Sequence, residues 1–498
     1  MNLAEIIAGH PDDAVALVAP DRTMTYGRLR AEVAATHRGL LGLGVAPGDR
    51  VVLVLPNGWQ FVVAYLAVLA AGGVAVPLDP ALPTATQEAR ARMVGARAMV
   101  DDVTGLLAAG ADGADGADAD AAADGAGQRA PEPTPNVERE PGDLALLVFT
   151  AGTAGPPKAA MLTHGSLRAN LDQVQQHPGR TLMPNDVSYG VLPFFHVFGI
   201  NVVLGLSLAA GASVVLVERF DPVEALATIR DRRVTVLAGA PPLFAALAAL
   251  PRDGGGADSG DELRTVRLAV SGASALPPEV AMAFEERFGL PLWQGYGLTE
   301  ASPVVTSSVV GGIPKPGSVG VPLPGVEVKL VDESGQDALV SDPGELWVRG
   351  PNVFSGYWEE PEATATVLTD GWLHTGDVAV VDDDGYVYLV DRLKDIVIVS
   401  GFNVYPAEVE DVFRQDPRVA DVAVVGVADQ HTGEAVRAYV VVSPEHAGQA
   451  DLAAELARLC QGNLAPYECP TSIEIVDSLP HGMGGKLLRR ALRGSTLG

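Results

Sequence analysis

The sequence predicts an α/β protein with a large N-terminal domain and a small C-terminal α+β domain. Two observations carry this. Residues 1 to about 100 alternate helix-like and strand-like segments, with a helix candidate at Leu29–Leu43 and a buried strand at Arg50–Pro56. Such alternation places helices over a largely parallel sheet. Beyond residue 395 the pattern changes: Pro406 opens a helix with Val409, Val412 and Phe413 on one face. Alternating Val422 and Val424, the run Ala438–Val442 and a helix from Leu452 follow. That is enough for an α+β unit of about a hundred residues.

Two apolar runs, Phe61–Leu78 and Val197–Val217, each break at glycine, at Gly72-Gly73 and at Gly211. The stretch before each break suits a helix and the stretch after it a strand, so we read helix, glycine cap and buried strand rather than a membrane span. Residues 111–128 form an Ala-Asp-Gly stretch whose aspartates, Asp112, Asp115, Asp118 and Asp120, lack EF-hand spacing. It reads as a solvated loop. Arg252–Glu262 is a second polar loop.

The chain has 498 residues, with 34 Lys plus Arg against 62 Asp plus Glu, a formal charge of −28. This balance disfavours nucleic acid and anionic membrane surfaces as partners. There are two cysteines, Cys460 and Cys469. So few point away from a disulfide framework and towards a reducing cytoplasm. Cys460 shares a helical stripe with Leu452, Leu456 and Leu459, as a core thiol would. Met1–Glu5 lacks the basic and apolar regions of a signal peptide.

The stretch Phe149-Thr150-Ala151-Gly152-Thr153-Ala154-Gly155-Pro156-Pro157-Lys158 follows the strand-like Leu144–Val148. Gly152 and Gly155 leave backbone N–H groups accessible, Thr150 and Thr153 add hydroxyls, and Lys158 adds positive charge. Such a loop can cradle a phosphate. It is not a Walker A loop, because Ala159 follows Lys158. An ordinary strand-exit turn is the alternative.

Further stretches sharpen the choice. Leu192–Gly199 carries His196 among aromatic residues. Ser271-Gly272-Ala273-Ser274 follows the strand-like Val266–Val270. Gln294-Gly295-Tyr296-Gly297-Leu298-Thr299-Glu300 places a flat ring between glycines, against which adenine could stack. Glu300 offers a hard oxygen suited to Mg²⁺. Near the end, Lys486 follows His481-Gly482-Met483-Gly484-Gly485.

These stretches resemble the adenylate-forming superfamily: acyl-CoA synthetases, firefly-type luciferases and adenylation domains. The family's phosphate loop reads Thr-Ser-Gly-Thr-Thr-Gly-x-Pro-Lys-Gly, from which this chain departs at Ala151, Ala154 and Ala159. A hydrogen bond to a charged group contributes about 1.5–3 kcal/mol, so weaker ATP binding is an expected consequence. Phe195 and His196 stand where amino-acid-specific members carry Asp, which argues against an amino-acid substrate.

The Gly371–Asp377 stretch precedes two strand-like runs, Val378–Val381 and Tyr386–Val390, that read as a hairpin turning at Asp382–Gly385. Pairing Val381 with Tyr386 sets Asp377 opposite Val390 and close to Arg392. A carboxylate suits two vicinal hydroxyls, although a surface ion pair would look the same. The resemblance assigns the ribose to Asp377 and Arg392. It divides the chain into an ATP- and acid-binding domain (1–391), a hinge (392–394) pivoting at Lys394, and a mobile lid (395–498) with the catalytic lysine.

The resemblance implies catalytic roles for Lys486, Glu300, Thr153 and His196, with Glu300 also holding the metal. It implies nucleotide contacts from Thr150, Gly152, Gly155, Lys158, Gly272, Ala273, Gly295, Tyr296, Gly297, Thr299, Asp377, Arg392 and Lys394. Gly401 belongs to a loop brought to the adenylate for the second half-reaction. The implied activity is an AMP-forming acyl-CoA synthetase using ATP, Mg²⁺ and coenzyme A, with a medium- or long-chain fatty acid preferred. Coumarate-type aryl ligases, acyl-AMP ligases that omit CoA, and a catalytically weak binding relative are the alternatives. Phe194, Val304 and Val319 are candidates for the acyl pocket wall. The expected setting is cytoplasmic, with no nucleic acid, no membrane span, and a homodimer left open.

Overall fold

In both apolar runs the glycine falls where helix gives way to strand. The helix Trp59–Ala70 ends before Gly72, whose φ of +71° only glycine adopts freely, and the strand Val74–Pro77 follows. In the second run a π-helical stretch Phe198–Gly205 passes into the helix Leu206–Ala210, capped by Gly211 at φ +76°, and then into the strand Ser213–Leu216. Among the described residues no helix is long and apolar enough to cross a membrane.

The computed structural model describes residues 1–115, 134–150, 157–176, 181–251, 261–332, 334–338, 342–392, 395–399, 402–429, 433–446, 451–464, 466–481 and 487–493. The expected loop at 111–128 lies outside these from residue 116 onward, and its first part, to Asp115, belongs to the helix Thr104–Asp115. By packing, the chain forms two units: Met1–Glu327 with Arg349–Leu373, and Val328–Val348 with His374–Gly498. The strand-rich 374–391 stretch thus packs with the second unit, whereas the sequence reading groups it with the first.

The first unit holds two sheets. In one the order is Val321–Pro322, Val304–Ser307, Leu292–Gly297, Leu268–Ser271, Val236–Gly239, Val187–Gly190, Ser213–Leu216, Val15–Val18 and Thr23–Thr25. Its centre, from Leu292–Gly297 to Val15–Val18, is parallel and its outer strands are antiparallel. Ile229, Leu247, Phe244 and Phe284 pack with Leu237 and Ala269 in its core, with Phe244 and Phe284 edge to face at 5.2 Å. The other sheet runs Ala98–Val100, Arg50–Leu53, Val74–Pro77, Leu144–Thr150, Lys158–Thr163, parallel except for its last strand.

The predicted helix Leu29–Leu43 is Tyr26–Gly42, started one turn earlier by Thr25, whose side chain accepts from the Arg28 N–H. In the second unit Val409, Phe413, Val422, Val424, Leu452, Leu456 and Cys460 form one core, as the helical stripes imply. Burial pushes the Cys460 thiol up to about 11, so it is inert.

The hairpin differs in register. Val381 pairs with Val387, and a bulge between Val378 and Ala379 shifts the ladder again, so the Cα of Asp377 lies opposite Arg392 rather than Val390. The cause is a turn one residue longer, in which Asp382 accepts from the Tyr386 N–H at 2.9 Å.

Asp186 fixes the entry to the central strand Val187–Gly190. Only 2% exposed, it accepts hydrogen bonds from the Met183 N–H at 2.7 Å, Thr235 Oγ1 at 2.7 Å and Arg267 Nε at 2.8 Å. Burial alone would raise its pKa, but the Arg267, Thr235 and Met183 donors outweigh it and hold the carboxyl below its ordinary value. Its contribution to stability is complete above the unfolded pKa of about 4 and is lost as pH falls through the lowered folded value. Asp186→Asn should cost about 2 kcal/mol in urea unfolding near neutral pH. The difference from wild type should shrink in acid. An undiminished difference below the folded pKa would exclude this origin.

Candidate active site

Gly239 pairs with Ser271, and Ser271 with Gln294, so the parallel ladder of three strands ends level, the third strand running on to Gly297. Ligand sites of open α/β sheets lie beyond such carboxyl ends. Gly272 continues the Leu268–Ser271 strand and donates its N–H to the Gly239 carbonyl at 3.0 Å. A Cβ there would stand 3.0 Å from the Phe198 ring, so the bare Cα makes room for that ring. Ala273 takes φ +71° and is exposed, a left-handed non-glycine conformation that costs about 1–3 kcal/mol. Phe198 opens the π-helical stretch, a device frequent at functional sites. Its N–H donates to Nδ1 of exposed His196 at 3.2 Å. Phe194, by contrast, is fully buried against Phe61 at 5.5 Å, and Val319 is buried too. Phe198 is thus the ring that stands beside Gly272 at the end of the Leu268–Ser271 strand.

Tyr296 is half-buried, and its neighbours are glycines for a reason that its ring alone does not explain. A Cβ on Gly297 would lie 2.1 Å from the Pro303 carbonyl oxygen, and one on Gly295 3.1 Å from that of Thr306. The glycines admit the chain's own returning strand, Val304–Ser307, and thereby fix where Tyr296 stands.

Glu300 lies in the short turn Thr299–Ala301 that follows. The Glu300 carbonyl accepts from the Phe354 N–H at 2.8 Å, and buried asparagines hold the next residues. Asn352 donates to the Ala301 carbonyl at 2.9 Å, Asn201 to that of Ser302 at 2.7 Å and Asn170 to that of Val304 at 2.8 Å. The Glu300 side chain accepts at Oε1 from the Tyr357 hydroxyl at 2.7 Å. Among the described residues its Oε2 has no hydrogen-bond partner. Lys158 Nζ stands 5.6 Å from the centre of the same tyrosine ring. One side chain thus brings the two principal sequence candidates, Lys158 and Glu300, into one place.

Lys158 opens the strand Lys158–Thr163, opposite Thr150, whose hydroxyl donates to the Lys158 carbonyl at 3.3 Å. Both candidates therefore sit at the mouth of a β-hairpin. Gly152, Thr153, Gly155, Ala151 and Ala154 lie outside the described residues, as do Lys394, Gly401 and Lys486. Asp377, in the second unit, is buried, and its N–H donates to Thr375 Oγ1 at 3.1 Å. Arg392 is placed by its backbone only. Nearby, Trp347 stacks on His374 at 3.7 Å, and burial lowers the pKa of that histidine.

No group of three or more His, Cys, Asp or Glu that could cage a metal exists among the described residues. A single hard oxygen such as Glu300 Oε2 suits Mg²⁺ held mainly by a nucleotide's phosphates. Sequence reasoning missed Tyr357 and the asparagines. Their partners lie far along the chain, and Gly356-Tyr357-Trp358 offers only an aromatic pair after a glycine as a signal.

A family model described as AMP-binding enzyme matches residues 3–358, and one described as AMP-binding enzyme C-terminal domain matches residues 408–486. The chain is 39% identical over 351 residues to a long-chain-fatty-acid–CoA ligase of Bacillus subtilis, covering 70% of this chain and 61% of that protein. It is 37% identical to a feruloyl-CoA synthase of Amycolatopsis over 94% of this chain and 93% of the relative. ATP-bound MatB from Rhodopseudomonas palustris superposes with a TM-score of 0.87 at 31% identity, over 99% of this chain and 98% of that one. With an adenylate-forming fold and matches that run almost end to end, the chain belongs to the AMP-binding enzyme family, among its acid–thiol ligases.

Proposed function

We propose that the chain is an ATP-dependent acyl-CoA synthetase acting on an apolar carboxylic acid, with a medium- or long-chain fatty acid as the first reading. The observation that carries it is that Lys158 and Glu300 both contact Tyr357, Lys158 at the ring and Glu300 at the hydroxyl, where Lys158 pairs with Thr150. A cation and a hard oxygen there suit a triphosphate. In the first half-reaction a carboxylate oxygen attacks the α-phosphorus of ATP, and the bond to pyrophosphate breaks. In the second, the CoA sulfur attacks the acyl carbon, the thiol loses its proton, and AMP leaves with the phosphate oxygen.

Such chemistry rests on positioning and charge neutralisation. Lys158 and the backbone donors of the 151–157 loop would orient the phosphates, with Thr153 as a hydroxyl donor. Glu300 would hold Mg²⁺, which when bound neutralises charge on the leaving pyrophosphate. Tyr296 would stack with adenine, beside Gly272, Ala273 and Thr299. Asp377 and Arg392 would take the ribose, and His196 would lie beside the acyl group. Lys486, Lys394 and Gly401 enter by resemblance alone: Lys486 for adenylation, Lys394 as the pivot, Gly401 for thioester formation.

A second reading, an aryl acid, is favoured by the Phe198 ring lying against Gly272, a flat wall suited to a flat substrate. The long-chain ligases and the feruloyl-CoA synthase among the relatives support the two readings equally.

Pyrophosphate release should be acid-dependent over a panel from acetate through long fatty acids to cinnamates, with ATP, Mg²⁺ and CoA present and the thioester followed by mass. A maximum among fatty acids supports the first reading and one among cinnamates the second. Acyl-AMP without thioester would replace the CoA step, and silence with folded, AMP-binding protein would overturn the synthetase. Lys486→Ala should lose adenylation by orders of magnitude while still converting supplied acyl-AMP and CoA to thioester. Equal loss of both halves would contradict that role. Restoring loop hydroxyls with Ala151→Ser and Ala154→Thr should lower the KM for ATP about tenfold. An unchanged KM would mean that the backbone donors suffice.

A further inference from the structure

We propose that Tyr357 is a positioning residue: its hydroxyl holds one oxygen of Glu300 so that the other faces the metal that accompanies ATP, while its ring carries Lys158 on the phosphate side. This rests on the proposed function, which gives Glu300 to the metal.

The chain holds the tyrosine from several directions. The segment Ser355–Trp358 runs along the strand Lys158–Thr163. The Trp358 N–H donates to the Ala159 carbonyl at 2.8 Å, the Met161 N–H to Gly356 at 2.9 Å and the Ser355 N–H to Met161 at 3.0 Å. The Tyr357 N–H itself donates to Thr364 Oγ1 at 2.9 Å. Phe354 meets the tyrosine ring edge to face at 5.0 Å. Gly356 makes the approach at φ +119°, where a Cβ would stand 2.5 Å from the Thr364 methyl. The same segment grips the Glu300 backbone through the Phe354 N–H. Main chain and side chain of the glutamate are therefore fixed by one short stretch.

Two consequences follow for chemistry. With Oε1 accepting from the phenol at 2.7 Å, the carboxylate cannot turn freely, and its Oε2 is presented in one direction. Such outer partners of a metal-binding carboxylate typically matter 10–100-fold for metal affinity. The Lys158 ammonium, 5.6 Å from the ring centre, lies within cation–π range. One residue thus contacts both the cation and the carboxylate.

The test is the affinity for ATP with and without Mn²⁺, by calorimetry, in wild type, Tyr357→Phe, Glu300→Gln and the double variant, with melting temperatures as the folding control. Tyr357→Phe keeps the ring for Lys158 and removes only the donor. It should bind metal-free ATP as wild type does and lose about tenfold of the tightening that Mn²⁺ confers. Glu300→Gln should lose most of that tightening, and the double variant should be no worse than Glu300→Gln alone. Full tightening in Tyr357→Phe, or multiplying effects in the double variant, would overturn the proposal.

Should Tyr357→Phe melt early, Phe354→Leu loosens the ring while keeping the hydroxyl. It should lose about threefold, and no loss would count against the proposal. Binding assays also separate the two ideas. A wild type that binds Mn²⁺·ATP but activates no acid defeats the synthetase reading and leaves Tyr357 testable, whereas a wild type whose ATP binding ignores Mn²⁺ defeats the proposal outright.

Discussion

The site depends on one constraint: every backbone carbonyl from Glu300 to Val304 must be satisfied in a stretch that is neither regular helix nor strand. Each finds a separate donor. Glu300 takes the Phe354 N–H, Ala301 takes Asn352, Ser302 takes Asn201, Pro303 takes the Leu298 N–H and Val304 takes Asn170. A buried carbonyl left alone costs about 1–3 kcal/mol, so the turn holds its shape only while these donors stay in place. They come from the π-helical stretch, from the helix His164–Gln175 and from the segment before Tyr357. Glu300 is thereby registered against all three, and any group the carboxylate binds inherits that registration.

The glycines serve the same end by a different route. Gly297 lets the Pro303 carbonyl come close, and Gly272 lets the Phe198 ring do so. Neither close approach needs a bound ligand. The level strand ends at Gly239, Ser271 and Gln294 are a property of the parallel ladder, and the glycines let the following loops fold back over those ends without a Cβ in the way. The surface at these strand ends is thus a consequence of backbone packing, with Tyr296 set down upon it.

Much of this was legible in the sequence. The glycine breaks at Gly72 and Gly211 and the Cys460 stripe were read from local pattern, and local pattern determined them. What failed was long-range or additive. The Asp377 register was off because a one-residue difference in the turn and a bulge at Val378 add up. Tyr357 and the asparagines could not be read because each acts through a partner 48 to 134 residues away. A polar residue destined for a buried carbonyl looks, in sequence, like any surface residue.

The overall charge makes the local arrangement decisive. A chain of formal charge −28 must accept a polyanion, yet distant charges are screened over about 8 Å at physiological salt. What a triphosphate meets is therefore set by the few groups within that range. Lys158 would lose most of its effect if Glu300 paired with it directly. Tyr357 engages both, the carboxylate through its hydroxyl and the ammonium through its ring, so each charge has a neutral partner that fixes where it stands. In an acidic protein, the position of a single cation such as Lys158 thus counts for more than the total charge.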